Sequence, residues 1–265
     1  MEEKRMKMYC FEESVITTQR KYILKTDSDE PMYVPVPYFL IEKDGDYILY
    51  DTGYNHKAYK NIRDYIPEII CDGYPPTLIE DQWVINGIKK AGLAPEDIKY
   101  VICSHLHLDH AGAVGELPNA KYVVQKIERE YAKNPNEQMK PMYLEGDFDK
   151  DVDWLEIDGE KNPQYDLYGD GSLVLYWTPG HCPGHQSLMV TFENGEKIML
   201  TGDACYSSET INKGIPSAVM DEAEKYMKNI DMFKKMQDDG TFILIGHCPD
   251  QWKTVKKFPE FYGDK

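Results

Sequence analysis

The stretch Ser104-His105-Leu106-His107-Leu108-Asp109-His110 constrains this chain more than any other, because it crowds three imidazoles and a carboxylate directly behind the apolar run Tyr100-Val101-Ile102-Cys103. That run has the β-branched and aromatic content of a strand, so the H-x-H-x-D-H pattern falls on the loop leaving it. Alternate positions of such a turn converge on a small cation, whereas the same residues along a helix surface mostly face water. The chain has seven His, and three are here. A catalytic zinc takes about three protein ligands and keeps a position open for water. Four ligand candidates on one turn therefore predict two ions that share further ligands from elsewhere.

The remaining β-type runs supply them. Leu173–Trp177 leads into Thr178-Pro179-Gly180-His181-Cys182-Pro183-Gly184-His185, where Gly180 and Gly184 read as turn positions that aim His181 back across the sheet end. Leu188–Phe192 and Lys197–Leu200 flank Asn194-Gly195, a two-residue hairpin signal, and the second run ends in Thr201-Gly202-Asp203. Phe242–Ile245 runs into Gly246-His247. Upstream, Tyr33–Ile41 and Tyr47–Tyr50 are joined through Asp44-Gly45 and end in Asp51-Thr52-Gly53. Every ligand candidate caps a β-run, which gathers them at one edge of a sheet sandwich.

Counted this way, His105, His107 and His181 hold one ion, Asp109, His110 and His247 hold a second, and Asp203 bridges them. Two divalent ions about 3.5 to 4 Å apart share a hydroxide whose pKa falls towards neutrality, a nucleophile that needs no activated Ser or Cys. His185 reads as a hydrogen-bond partner behind the ligands and not as an eighth ligand. Asp51 reads equally as such a partner and as a plain strand-to-loop turn. His56 belongs to no motif and reads as solvent-facing or locally bonded.

Helices are expected over Leu78–Ala91, over Ile127–Ala132 and from about Ser217 to Asp239, with Ala111-Gly112-Ala113 opening a short one after the histidine cluster. Ala120–Val124 reads as a strand, and the β-α-β-α alternation places helices outside a sheet. Residues 54–80 are apolar and aromatic without a period, which suits a loop or short helix leaning over the site. Residues 134–172, with Glu145-Gly146-Asp147-Phe148-Asp149, read as an irregular insertion with a solvated acidic surface.

A length of 265 residues with 42% hydrophobic content is expected to form one compact unit, 1–265. The formal charge of -16 would repel a phosphodiester backbone, so nucleic acid is excluded as a partner. No apolar run approaches the roughly 18 to 20 residues of a membrane span. The start, Met1-Glu2-Glu3-Lys4-Arg5, lacks the apolar stretch of a secretory signal, which predicts a cytoplasmic protein. The six Cys show no C-x-x-C spacing and read as small apolar filler beside a buried site.

Ser-His-Leu-His-Leu-Asp-His, Thr-Pro-Gly-His, Gly202-Asp203, Gly246-His247 and Asp51-Thr52-Gly53 resemble the five signature motifs of the metallo-β-lactamase superfamily. The resemblance implies an α/β fold of the αββα sandwich type, two packed mixed β-sheets with helices on the outer faces. His181-Cys182-Pro183-Gly184-His185-Gln186-Ser187-Leu188, Asp203-Ala204-Cys205-Tyr206 and Lys257–Tyr262 are most similar to the N-acyl homoserine lactonases. That likeness implies a dinuclear zinc site, with iron, manganese or cobalt as alternatives, and hydrolysis of a neutral acyl lactone. Cys248 departs from the acidic residue those lactonases commonly place after the last histidine. In the implied mechanism Tyr206 binds the substrate and hydrogen-bonds the oxyanion, and Asp109 carries a proton to the leaving alkoxide. Glyoxalase II-like thioester or arylesterase-like hydrolysis is the alternative on the same fold. His107 stands where flavodiiron redox relatives carry a carboxylate, which favours a hydrolase.

Overall fold

The computed structural model describes residues 6–263, and the segment Met1–Arg5 read above for a signal lies outside them. Strands β1 (Lys7–Gln19), β2 (Pro31–Lys43), β3 (Asp46–Tyr50), β4 (Pro76–Leu78), β5 (Ile98–Ile102), β6 (Lys121–Gln125) and β7 (Trp154–Ile157) form a seven-stranded sheet in the order β4-β1-β2-β3-β5-β6-β7. Strands β8 (Gln164–Asp166), β9 (Leu173–Trp177), β10 (Gln186–Thr191), β11 (Lys197–Leu200) and β12 (Phe242–Leu244) form a second sheet in the order β12-β11-β10-β9-β8. Both are mixed. β3, β5, β6 and β7 run parallel in the first, and β11 and β12 run parallel in the second.

Strand alternation sets the layers. On β2, Phe39 and Ile41 point into the seam between the sheets with Ile102, Leu175, Leu188 and Leu200, while Tyr38 and Leu40 point outwards. The outward set is covered by Val84, Ile85 and Ile88 of the helix Val84–Lys90. The second sheet is covered by Tyr226, Ile230 and Phe233 of the helix Ala223–Asp238. The result is the expected αββα sandwich, two mixed sheets with helices outside.

Several local expectations are corrected. β1 was not legible, because Glu12-Glu13 breaks the alternation where the register shifts between Glu12 and Ser14. The helix expected over Leu78–Ala91 is confined to Val84–Lys90, since Leu78 belongs to β4 and pairs with Ser14. Ala111-Gly112-Ala113 forms successive turns and no helix. Gly112 is small for a different reason: a Cβ there would lie 2.1 Å from the Asn55 nitrogen, so it lets two loops touch. The long helix begins at Ala223 and not near Ser217, because the N–H groups of Asp221 and Glu222 each bond the Gly180 carbonyl at 2.8 Å. Asn194-Gly195 closes a three-residue loop, with Phe192 N–H on the Glu196 carbonyl and Gly195 left-handed at φ 84. In the acidic insertion Asp147 and Phe148 are buried, not solvated.

Residues 54–73 fold into three short helices, His56–Lys60, Ile62–Tyr65 and Glu68–Gly73. Asn55 and Asn61 cap the first two by accepting from Lys57 and Arg63 N–H groups. His56 stacks on Trp83 and lies 2.7 Å from Glu80, away from the cluster.

Candidate metal centre

Strand ends β5, β9, β11 and β12 open onto one edge of the sandwich, and their loops bring the seven ligand candidates together. His105, His107, His181 and Asp203 form one group and Asp109, His110 and His247 a second, each with its ligand atoms within 4.8 Å of one another. Each group draws on both sheets. Asp203 also spans the two, with Oδ2 3.3 Å from His181 Nε2 and Oδ1 3.2 and 3.0 Å from Nε2 of His110 and His247.

The acceptors behind the rings orient them. His105 Nδ1 lies 2.9 Å from Ser104 Oγ, whose own proton goes to Asp51 Oδ2 at 2.8 Å. His181 Nδ1 donates to the Val219 carbonyl at 3.1 Å, and His247 Nδ1 to the Pro35 carbonyl at 2.6 Å. His110 Nδ1 donates to Asp51 Oδ2 at 2.9 Å. In these four rings Nδ1 is used as donor and Nε2 faces the centre, where the neutral tautomer presents a lone pair; His107 is turned the other way, with Nδ1 towards His181.

This arrangement fits cations. In the first group His181 Nε2 lies 3.2 Å from His105 Nε2 and 3.0 Å from His107 Nδ1, so lone pairs converge that a shared metal ion would accept. Burial holds His105 and His107 well below the ordinary imidazole range, the neutral form a metal needs. In the second group burial pulls His110 down, but Asp203, Asp109 and Asp51 outweigh it and raise it well above its ordinary value. A metal cation would answer those carboxylates in place of that proton. Asp203 Oδ1 is buried with Nε2 of His110 and His247 3.2 and 3.0 Å away, the place of a metal-ligating oxygen.

His185 stands behind the centre. Its Nε2 accepts from the Asp203 N–H at 2.9 Å, which leaves Nδ1 to donate to Thr178 Oγ1 at 2.8 Å. Thr178 passes its proton to Ser187 Oγ at 2.9 Å, and Ser187 donates to the Thr201 carbonyl at 2.9 Å. Burial lowers His185 to about 3, so it stays neutral and fixes the backbone of Asp203. Of the two glycines read as turns, Gly180 is left-handed at φ 134, while Gly184 makes room: a Cβ there would lie 2.3 Å from Glu128 Cβ.

Tyr206 donates its hydroxyl to Asp203 Oδ2 and stacks on His247 with ring centroids 5.1 Å apart. Asp109 is the most open carboxylate of the set, its side chain 15% exposed against 3% for Asp203. Both line a cavity with His107, His181, Asp203 and His247 on its floor. Its walls are Ile16, Ile23, Val34, Ile70, Met142 and Val219, and Tyr54 and Tyr74 bring the segment of short helices over it. The parts played by Ser104, Thr178 and Glu128 are not legible in the sequence, although Ser104 and Thr178 stand inside recognised motifs; Glu128 stands in none.

Residues 33–247 match the Metallo-beta-lactamase superfamily. The chain is 41% identical over 235 residues to the N-acyl homoserine lactonase AttM of Rhizobium radiobacter, covering 87% of this chain and 88% of that protein. It is 33% identical over 229 residues to the N-acyl homoserine lactonase of Bacillus thuringiensis, covering 86% and 87%. Among solved structures, an N-acyl homoserine lactone hydrolase with the product N-hexanoyl-L-homoserine bound at its catalytic metal centre superposes with a TM-score of 0.85 at 28% identity, over 96% of this chain and 98% of that one. Sequence and architecture agree over nearly the same span, and on that basis the chain belongs to the metallo-beta-lactamase superfamily, alongside its N-acyl homoserine lactonases.

Proposed function

We propose that this protein hydrolyses the lactone ring of N-acyl homoserine lactones, using two divalent cations, zinc by first choice, held by His105, His107 and His181, by Asp109, His110 and His247, and by Asp203 between them. The cavity carries this reading. A floor of imidazoles and carboxylates meets apolar walls, which suits a ligand with a polar head and an aliphatic tail. No Lys or Arg is among the lining residues described, so nothing there recruits an anionic thioester, and a neutral lactone fits better.

Held by these residues, the cations would supply water of lowered pKa and a Lewis acid for the lactone carbonyl. The protein supplies position and protons. Tyr206, its ring stacked on His247, turns its O–H from Asp203 to the carbonyl oxygen as charge develops there. Asp109, open to the cavity with Oδ2 3.5 Å from His110 Nε2, takes the proton released by the attacking water on its other carboxylate oxygen and returns it to the ring oxygen as the C–O bond breaks. Asp51 and His185 hold His110 and Asp203 in place. Ring opening would silence acyl-homoserine-lactone signals, a quorum-quenching activity. Six cysteines buried as free thiols suit a reducing, cytoplasmic setting, and among the described residues no helix is long and apolar enough to cross a membrane.

The test is a comparison of kcat/KM for N-hexanoyl homoserine lactone, a glutathione thioester and an aryl ester, with ring opening followed by mass. Preferred turnover of the lactone is expected. Preference for the thioester would transfer the protein to the glyoxalase II-like alternative.

A further inference from the structure

The helix Lys126–Ala132 buries an acid, Glu128, which has no exposed surface. Its Oε1 accepts from the Leu106 N–H at 3.0 Å and from the Tyr143 hydroxyl at 2.8 Å. Its Oε2 accepts from the Gly184 N–H at 3.2 Å and from the Cys182 thiol at 3.2 Å. Leu106 is the residue between His105 and His107, and Cys182 follows His181. One carboxylate therefore ties together the two loops that carry the three imidazoles of the first group.

The surroundings are built for this contact. A Cβ on Gly184 would lie 2.3 Å from Glu128 Cβ and 2.5 Å from its backbone nitrogen, so only glycine lets the helix approach so closely. Tyr143, which donates to Oε1, sets its ring edge-on against His107 with centroids 4.5 Å apart. All four partners donate, and an ionised carboxylate is the side chain that accepts through both oxygens and offers no proton. Burial raises the Glu128 carboxyl, and these same four bonds pull it back. The second group has other supports, Asp51 behind His110 and the Pro35 carbonyl behind His247.

We infer that Glu128 is a positioning residue that sets the affinity of the His105, His107, His181 and Asp203 group for its divalent ion and leaves the Asp109, His110 and His247 group unaffected. This rests on the metal-binding reading above. Glutamine at this position keeps the shape but turns an NH2 towards donors, so one pair of bonds is lost and the two loops lose their common anchor.

The experiment uses purified full-length protein in two backgrounds, His247→Ala, which takes a ligand from the second group and keeps the first whole, and His181→Ala, which takes a ligand from the first group and keeps Asp109, His110 and His247. Zn²⁺ affinity is measured by chelator competition with and without Glu128→Gln, a readout independent of hydrolysis. In the His247→Ala background Glu128→Gln should weaken Zn²⁺ binding about 10- to 100-fold, the usual effect of losing such a support, and in the His181→Ala background by less than about threefold. Equal weakening in both would reduce Glu128 to general scaffolding and overturn the inference, as would no weakening in either. Should Glu128→Gln prevent folding, judged by circular dichroism, Tyr143→Phe removes a single donor and decides by the same comparison. Parent proteins that bind no Zn²⁺ would refute the metal reading itself, a distinguishable failure that takes this inference with it.

Discussion

Asp51 Oδ2 accepts from His110 Nδ1 at 2.9 Å while the Asp51 backbone sits in the left-handed region at φ 60. Its other oxygen takes the Ser104 N–H at 2.7 Å, so one residue orients His110 directly and His105 through the Ser104 hydroxyl. Asp and Asn are the side chains other than glycine that tolerate this backbone well. Asp51→Asn therefore removes the charge and an acceptor without adding strain. It should cost about 10- to 100-fold in metal affinity, measured by chelator competition, with the fold intact by circular dichroism. Unchanged affinity would reduce Asp51 to a turn residue.

Tyr206 touches the centre through Asp203 Oδ2 and lines the cavity above it. Tyr206→Phe keeps the ring stacked on His247 and deletes one donor. On the lactone the expected loss is roughly 10²-fold in kcat with a small change in KM, as for other oxyanion donors. A loss confined to KM would instead assign the hydroxyl to ground-state binding.

Removal of metal should abolish hydrolysis and also soften the protein. Ligands that bind only the folded state stabilise it by about 3 kcal/mol at a hundredfold excess over Kd, on the order of 5–10 °C in Tm for a chain of this size. Chelation should lower Tm by this amount, and added Zn²⁺ should restore both Tm and activity. Persisting hydrolysis in metal-free protein would rule out a metal-dependent reaction.

Two buried acids tie the short helices over the cavity to the sandwich. Glu13 on β1 accepts from the Tyr54 N–H at 3.0 Å and from the Tyr59 hydroxyl, and Asp147 accepts from Asn55 Nδ2 at 2.8 Å and from the Tyr65 hydroxyl. Burial pushes Glu13 up to about 8 and Asp147 up to about 7. An acid whose pKa is raised on folding holds more protons folded than unfolded, so its contribution is fully present below about 4.5 for Glu13 and is lost as pH rises to about 8. Tm should fall across that window, and Glu13→Gln, which mimics the protonated form, should flatten the fall. A pH profile identical to that of the unaltered protein would show that Glu13 does not titrate there.

That the seven ligand candidates come together is legible because each follows a β-run, so a strand pattern and a residue type point to the same place. The supports behind it were not. Glu128 looks like any acid in the first turn of a short helix, and nothing local says that Leu106 and Gly184 will meet it from distant loops. Glu13 hid β1 altogether: an acid inside a strand reads as a break, and it becomes intelligible only with Tyr54 and Tyr59 packed on it. In the sequence Gly184 reads as backbone freedom, whereas its use is space, a distinction that depends on the neighbouring helix.

Because His105, His107, Asp109 and His110 come from one sheet and His181, Asp203 and His247 from the other, the two halves are like the jaws of a clasp. A nascent chain that has emerged only as far as β7 has no complete chelating set, so the finished centre is an event of late assembly. Cleavage between the sheets would be expected to abolish metal binding even if both fragments kept their strands.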